Sequence, residues 1–198
     1  MPVPASSPGS SPAEDDLLMR RYAAGDAGAA AALIAAHAPR VLSLARRMLG
    51  EAAEAEDVAQ EAMLRLWRAA PDWRAGEAGV GAWLRRVASN LCLDRLRRRR
   101  ESLAAEPPDR PDERPAALDR LAQDERAAAL RAALAELPER QRLAIVLRHF
   151  EERPNPEIAA ILETSVEAVE SLLARGRREL AARLIPRRAE LELRDGKN

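Results

Sequence analysis

Between Leu137 and Leu180 the apolar residues fall at helical spacing in three successive runs. Leu143, Val146, Leu147 and Phe150 mark one face of a first helix, Ile158, Ile161 and Leu162 a second, and Val166, Val169, Leu173 and Leu180 a third. Positions three or four apart share a helix face because 3.6 residues make a turn. The polar residues between the runs punctuate them. Pro138 suits the first turn of the first helix, where a proline loses no hydrogen bond. Asn155-Pro156-Glu157 opens the second: Asn155 can accept from an orphan N–H, Pro156 fits the first helical position, and Glu157 favours the positive end of the helix dipole. Thr164-Ser165 opens the third with two hydroxyls, and Glu167 stands three residues after Thr164 as in a capping box. The pattern predicts a helix followed by a helix-turn-helix, a unit that can lay its last helix in the major groove of DNA. Ser165 starts that last helix, and Glu167, Glu170, Ser171, Arg175, Arg177 and Arg178 occupy its outward face. Arginines there can bond phosphates or guanine edges. A three-helix packing unit with a solvated charged face would carry the same pattern.

Upstream, the spacing predicts helices over Asp16–Ala24, Ala27–His37, Arg40–Leu49 (started by Pro39, ended by Gly50), Ala53–Ala70 (stopped by Pro71) and Ala82–Arg100, the last after a glycine-containing loop, Arg74–Gly81. In the fourth of these, Val58, Ala59, Ala62, Met63 and Leu66 form the apolar face. Asp57, Gln60, Glu61 and Leu64 lie together on the opposite side. An exposed leucine among acids suits a basic partner; taken alone, a solvated helix face is the simpler reading. In the fifth, Leu84, Val87, Ala88 and Leu91 make the core stripe, while Arg85, Arg86, Asn90, Asp94, Arg97 and Arg98 project. Beside a loop holding Trp73, such a helix can bind nucleic acid: arginines track phosphates, and an aromatic or an amide engages an unstacked base. Trp67 and Trp83 read as core packing.

Composition agrees with helices throughout, since alanine, leucine, arginine and glutamate dominate and aromatics are 3% of the 198 residues. The fold class expected is all-α: a helical bundle and a C-terminal helix-turn-helix domain, joined by a flexible Pro-rich linker. Pro107, Pro108, Pro111 and Pro115 exclude a helix over Glu101–Ala116. The expected boundaries are a disordered tail over 1–13, a first domain over 14–100, a linker over 101–117, a second domain over 118–184 and a polar tail over 185–198, helical at its start at most. Formal charge sums to zero, which argues against a uniformly basic DNA binder, but it is segregated: Glu51–Glu61 holds acids and no base, and Arg95–Arg100 arginines and no acid. Lysine occurs only at Lys197, and arginine suits bidentate contacts.

Cys92 is the single cysteine and reads as a small core residue, so no internal disulfide forms and a cysteine-based metal site is not expected. His37 and His149 show no ligand spacing. No metal, cofactor or catalytic residue is expected. No apolar run reads as long enough to span a membrane and no signal-peptide pattern is present, so a cytoplasmic protein without membrane insertion is expected.

Three stretches, in this order, resemble the extracytoplasmic-function group of alternative sigma factors of bacterial RNA polymerase, over roughly Asp16–Leu184. AEDVAQEAMLRLW (from Ala55) is similar to the family's second-region helix, AWLRRVASNLCLDRLRRRR (from Ala82) to its helix for minus-ten recognition, and LPERQRLAIVLRHF, EIAAIL and SVEAVESLLARGRREL (from Leu137) to its fourth-region helix-turn-helix. The resemblance implies that Asp57, Gln60, Glu61 and Leu64 dock on the β′ clamp helices of core RNA polymerase. It implies that the Trp73–Gly81 loop, with Arg86, Asn90, Asp94, Arg97 and Arg98, melts and reads the minus-ten element of promoter DNA, where pocket contacts replace lost base stacking. It implies that Ser165, Glu167, Glu170, Ser171, Arg175, Arg177 and Arg178 meet the minus-thirty-five major groove, with the same domain on the β flap. The linker would thread toward the RNA exit path, and an anti-sigma factor would hold the chain in a stress or envelope response. Three departures stand out. Val80-Gly81 replaces a usual bulky aromatic, Glu170 and Leu172 stand where basic residues are usual, and Asn155-Pro156 replaces an aromatic-acidic pair. Gly176 inside the recognition helix costs about 1 kcal/mol of propensity relative to alanine, and permits close approach to a helix or to a phosphate backbone.

Two other readings fit less of the chain. A sigma-like decoy would bind an anti-sigma protein and no DNA; such proteins usually carry a receiver domain, not found here, and the arginine runs favour DNA contact. A stand-alone operator-binding regulator leaves the first helical block unexplained.

Overall fold

The computed structural model describes residues 11–75, 79–105 and 123–195. Among them the chain forms α1 (Pro12–Ala23), α2 (Ala27–Leu49), α3 (Ala52–Ala69), a 3₁₀ turn (Ala70–Asp72), α4 (Val80–Ala105), α5 (Gln123–Ala135), α6 (Glu139–His149), α7 (Asn155–Leu162) and α8 (Val166–Asp195), with no strand. It divides into two compact units, Met1–Arg46 with Glu51–Cys92, and Leu93–Asn198 with Arg47–Gly50.

In the first unit, α1 begins four residues before the position expected from the apolar pattern. A complete capping box starts it: Ser11 Oγ accepts from the Glu14 N–H at 3.3 Å, and Glu14 Oε2 accepts from the Ser11 N–H at 2.8 Å. The backbone bond from Ser11, then its side chain, holds the Glu14 carboxyl below the usual range. Gly25, at φ +92°, turns the chain out of α1, and Asp26 Oδ1 opens α2 by accepting from the N–H groups of Gly28 and Ala29 at 2.8 and 3.3 Å.

Two helices were expected where α2 runs unbroken through Pro39. A proline there leaves the carbonyl of Ala35 without its partner, but Ala35 and Pro39 are both exposed, so water can take it. Ala29, Leu33, His37, Val41, Leu44 and Ala45 keep one buried stripe across the proline. That burial outweighs a cost of about 3 kcal/mol. Undivided, α2 is long and apolar enough to cross a membrane by length and composition, contrary to the expectation for this chain, although one stripe of it is buried in the fold. Gly50, at φ +77°, ends it as its position predicts. α3 buries Ala55, Val58, Ala59, Ala62, Met63 and Leu66, the expected face. In α4 the buried line is Val80, Leu84, Ala88 and Cys92, with Val87 and Leu91 half-buried at its flank. α4 also continues to Ala105, into the stretch read as extended, because the first linker proline is Pro107 and helix-breaking acts just before it. The linker itself, with Pro107 to Pro115, and the tail over residues 1–10 lie outside the described residues.

In the second unit Leu143–Leu147 of α6 are buried all round, as befits a central helix. Phe150 was expected on this stripe but sits at the C-cap, 36% exposed. Arg142 donates to the carbonyls of Ala135 and Leu137 and so closes the turn between α5 and α6. Arg140 Nη2 donates to the Leu162 carbonyl at 2.7 Å, fixing the end of α7 against α6. Arg183 joins α8 to the end of α5 through Glu136 at 2.9 Å.

The caps differ from expectation in two places. Pro154, extended at ψ 153°, is the N-cap of α7, so Asn155 is already helical, and its buried Oδ1 makes no hydrogen bond. Ser165 rather than Thr164 caps α8, accepting from the Ala168 N–H at 3.2 Å. The Glu167 carboxyl is held down first by its own backbone N–H and then by the Ser165 hydroxyl. The turn between α7 and α8 is made by Glu163 in the left-handed region at φ +50°, a conformation a non-glycine residue adopts at a cost of about 1 kcal/mol. α8 runs on to Asp195, past the expected start of the tail at Ile185.

Gly176 faces α6. A Cβ there would stand 2.9 Å from Ile145 Cγ1 and 3.3 Å from its Cδ1. The glycine therefore serves a close helix–helix approach. Gly176→Ala gains about 1 kcal/mol of helix propensity but forces a shift in a packed core that costs about 1–3 kcal/mol. The expected net result is a fall in the thermal midpoint of the full chain of several degrees; a rise would show that α6 yields freely.

Candidate functional site

Three surfaces gather the residues singled out by sequence. The first is the outward side of α3. With six residues of the opposite side packed inward, Asp57, Gln60 and Leu64 are exposed, Leu64 at 47%, and Glu61 is half-buried. Its acidity is partly answered from its own helix: Glu61 Oε1 accepts from Arg65 Nε at 2.8 Å and lies 4.0 Å from Arg68 Nη1. The surface is thus an apolar knob beside a carboxylate and an amide, less acidic than its sequence implies.

The second surface starts at Trp73, which leaves the 3₁₀ turn in an extended conformation. Its half-buried ring meets Trp83 edge-on, with centroids 6.2 Å apart at 79°, and its Nε1–H donates to Asp16 Oδ1 at 2.9 Å. Residues 76–78 of the following loop are outside the described set. Because α4 buries every fourth residue from Val80 to Cys92, Arg86 and Asn90 emerge one turn apart and exposed. Arg97 and Arg98 are exposed further along, with Asp94 half-exposed. Asp94 Oδ1 accepts from Arg97 Nη2 at 2.9 Å, which orients one arginine of the run. Trp83 is half-buried rather than core, as is Trp67, which packs on Tyr22 of α1 at 4.6 Å.

The third surface is α8. Ser165, Glu167, Glu170, Ser171, Arg175, Arg177 and Arg178 are all exposed, while Val169, Leu173 and Gly176 turn inward and Leu172 is half-buried. The start of the helix presents two acids and two hydroxyls, and its middle three cations.

Sequence reasoning missed a buried polar set behind the second surface. Asp15 Oδ1 pairs with His37 Nε2 at 2.9 Å, with side chains 4% and 5% exposed, and the adjacent Asp16 holds Trp73. The available signal was two adjacent aspartates near the start of a short helix, where the helix dipole alone favours acids. Among the described residues no group of three His, Cys, Asp or Glu is placed to hold a metal ion. Cys92 is fully buried.

Comparison with known proteins finds two family regions along the chain. Residues 33–102 match the family Sigma-70 region 2, and residues 127–180 match Sigma-70, region 4. The chain is 37% identical over 169 residues to the ECF RNA polymerase sigma factor SigM of Mycobacterium tuberculosis, covering 84% of this chain and 83% of that protein. It is 36% identical over 152 residues to SigE of Mycolicibacterium smegmatis, where it covers 75% of this chain and spans 58% of the relative's length. The solved structure of CnrH in complex with the cytosolic domain of CnrY superposes with a TM-score of 0.63 at 27% identity, over 87% of this chain and 98% of that one. Two family regions in one chain, and a relative covered over most of its length, show that the chain belongs to the ECF RNA polymerase sigma factors.

Proposed function

We propose that the chain joins core RNA polymerase and directs it to promoters through three contacts. The knob of α3, Leu64 with Asp57, Gln60 and Glu61, docks on the β′ clamp helices. Trp73 with Arg86, Asn90, Asp94, Arg97 and Arg98 opens and reads the minus-ten element. Ser165, Glu167, Glu170, Ser171, Arg175, Arg177 and Arg178 meet the minus-thirty-five groove, with that unit on the β flap. The domains would run over 14–100 and 118–184. The observation that carries this reading is the presence of both family regions, Sigma-70 region 2 over residues 33–102 and region 4 over residues 127–180, in one chain; the exposed Leu64 beside acids on α3 is consistent with docking. The chain supplies recognition and no bond-making step, so it is not an enzyme, and its place of work is the cytoplasm. CnrH was solved with the cytosolic domain of CnrY bound, and a protein partner acting as an anti-sigma factor would restrain this chain until a stress or envelope signal.

Each DNA surface is small, so tight promoter binding needs both contacts joined on the polymerase by effective concentration. Purified chain alone is therefore expected to bind promoter DNA weakly, while chain with core polymerase and fragmented genomic DNA gives discrete, mappable start sites. Absence of any new start site would overturn the reading.

A further inference from the structure

α1 lies outside both matched family regions, the first of which begins at residue 33. It nevertheless bonds one end of the segment that leads into α4 and lies beside the other. At one end the Trp73 indole N–H, that side chain's single donor, is bound by Asp16 Oδ1 at 2.9 Å across 57 residues of chain. At the other end Gly79 lies against Pro12: a Cβ on Gly79 would stand 3.5 Å from Pro12 Cβ. The helix that does this is itself fixed. Asp15, one residue before Asp16, pairs with His37 of α2 in a buried setting, and Tyr22 packs on Trp67 of α3. The Asp15–His37 pair thus fixes the backbone from which Asp16 reaches Trp73. A bond from an indole N–H to a carboxylate is charge-assisted and directional; with the edge-on contact to Trp83, it sets both the roll and the tilt of the Trp73 ring.

We propose that α1 is a brace for Trp73 and that Asp16 is a positioning residue, acting through Trp73, for the rate of promoter opening and for base preference at the minus-ten element. This rests on reading Trp73, with Arg86 and Asn90, as part of the minus-ten reader. A ring held in one pose before DNA arrives need not be ordered at the moment of base capture, so the brace lowers the barrier to opening and narrows the bases accepted.

The test uses holoenzyme made with core polymerase, on a promoter found by start-site mapping and on the same promoter with a randomised minus-ten element. Opening is read by permanganate reactivity of minus-ten thymines. Asp16→Ala is expected to slow opening about tenfold, the effect of losing one hydrogen bond to a charged group. It should also broaden the bases recovered from the randomised pool and leave affinity for core polymerase unchanged. Asp16→Asn keeps a carbonyl acceptor and is expected to come within about threefold of the parent. The pair Asp16→Ala with Trp73→Phe is expected to open no more slowly than Trp73→Phe alone, because both remove one bond. Should Asp16→Ala unfold at the assay temperature, Asp16→Asn and Trp73→Phe still read the bond from both ends. Parent-like opening and base preference in Asp16→Ala, or slowing that multiplies in the pair, overturns the brace. So does weaker core binding with base preference intact, the mark of a structural role only. Asn90→Ala separates the two failures: if it slows opening while Asp16→Ala does not, only the brace falls; if neither matters, the minus-ten reading of this surface falls with it.

Discussion

Leu64→Asp is expected to weaken binding to core RNA polymerase about a hundredfold and to remove promoter-directed transcription with it. Burying a leucine in a partner's surface contributes about 1.5–3 kcal/mol, and forcing a carboxylate into the same pocket adds a desolvation cost, so a loss of about 3 kcal/mol follows. The chain itself should not suffer. Leu64 is 47% exposed, and substitutions at such positions change stability by about 0.5 kcal/mol or less. Two residues on, Leu66 is fully buried, and the same change there would unfold the unit. The comparison within one helix therefore separates docking from folding. Glu61→Ala should weaken docking less than Leu64→Asp, because Arg65 already satisfies part of that carboxylate. Titration of labelled chain with core polymerase, with circular dichroism as the folding control, measures both; parent-like affinity in Leu64→Asp would remove α3 from the polymerase interface.

The α3 face could be read from spacing because both of its sides are regular: small and branched apolar residues recur every three or four positions, and what remains must face outward. What spacing cannot give is the pairing of side chains on that outward face. Glu61 and Arg65 are neighbours at i, i+4, yet only geometry shows the carboxylate already engaged. The same limit appears at α2. Pro39 is a strong local stop signal, and it was overridden by a buried stripe continuing on both sides of it, a tertiary effect that local chemistry does not report. The caps of α7 and α8 were each misplaced by one residue for a similar reason. At α8 two hydroxyls stood side by side, and at α7 the extended backbone of Pro154 took the cap position ahead of Asn155.

The surface around Trp73 was half legible. Its arginines and Asn90 lie on one helix, so their periodicity is visible in sequence. Its support is not, because Asp15, Asp16 and His37 come from two other helices, and the Asp16–Trp73 bond spans most of the first unit. Contacts of long sequence separation leave no periodic trace. Gly176 shows the opposite case: the sequence marked an unexplained glycine in a helix and left two explanations, and the 2.9 Å at which a Cβ there would meet Ile145 selects helix packing over phosphate approach.

Gly176 also orients the recognition helix. At about 100° per residue, a helix with Gly176 and Leu173 turned inward presents Glu167, Ser171 and Arg178 most directly outward, with Arg175 on one flank and Glu170 and Arg177 on the other. In a helix-turn-helix the first residues of the last helix meet base edges, and the later ones pass to the backbone. The cations of α8 should then act on phosphates and its opening residues on sequence. Replacing Arg175 and Arg178 together with alanine is expected to lower holoenzyme affinity for promoter DNA roughly a hundredfold, as two charge-assisted bonds of about 1.5 kcal/mol each are lost. The loss should be equal for every minus-thirty-five sequence, and the slope of log affinity against log salt should fall by about 2. Glu170→Gln should do the reverse: the salt slope stays, and preference changes at one base pair, where a carboxylate can accept from a cytosine amino group. Both arginines and Glu170 are exposed, so neither change disturbs the fold. A salt slope unmoved by the double arginine change would place these cations away from the DNA backbone.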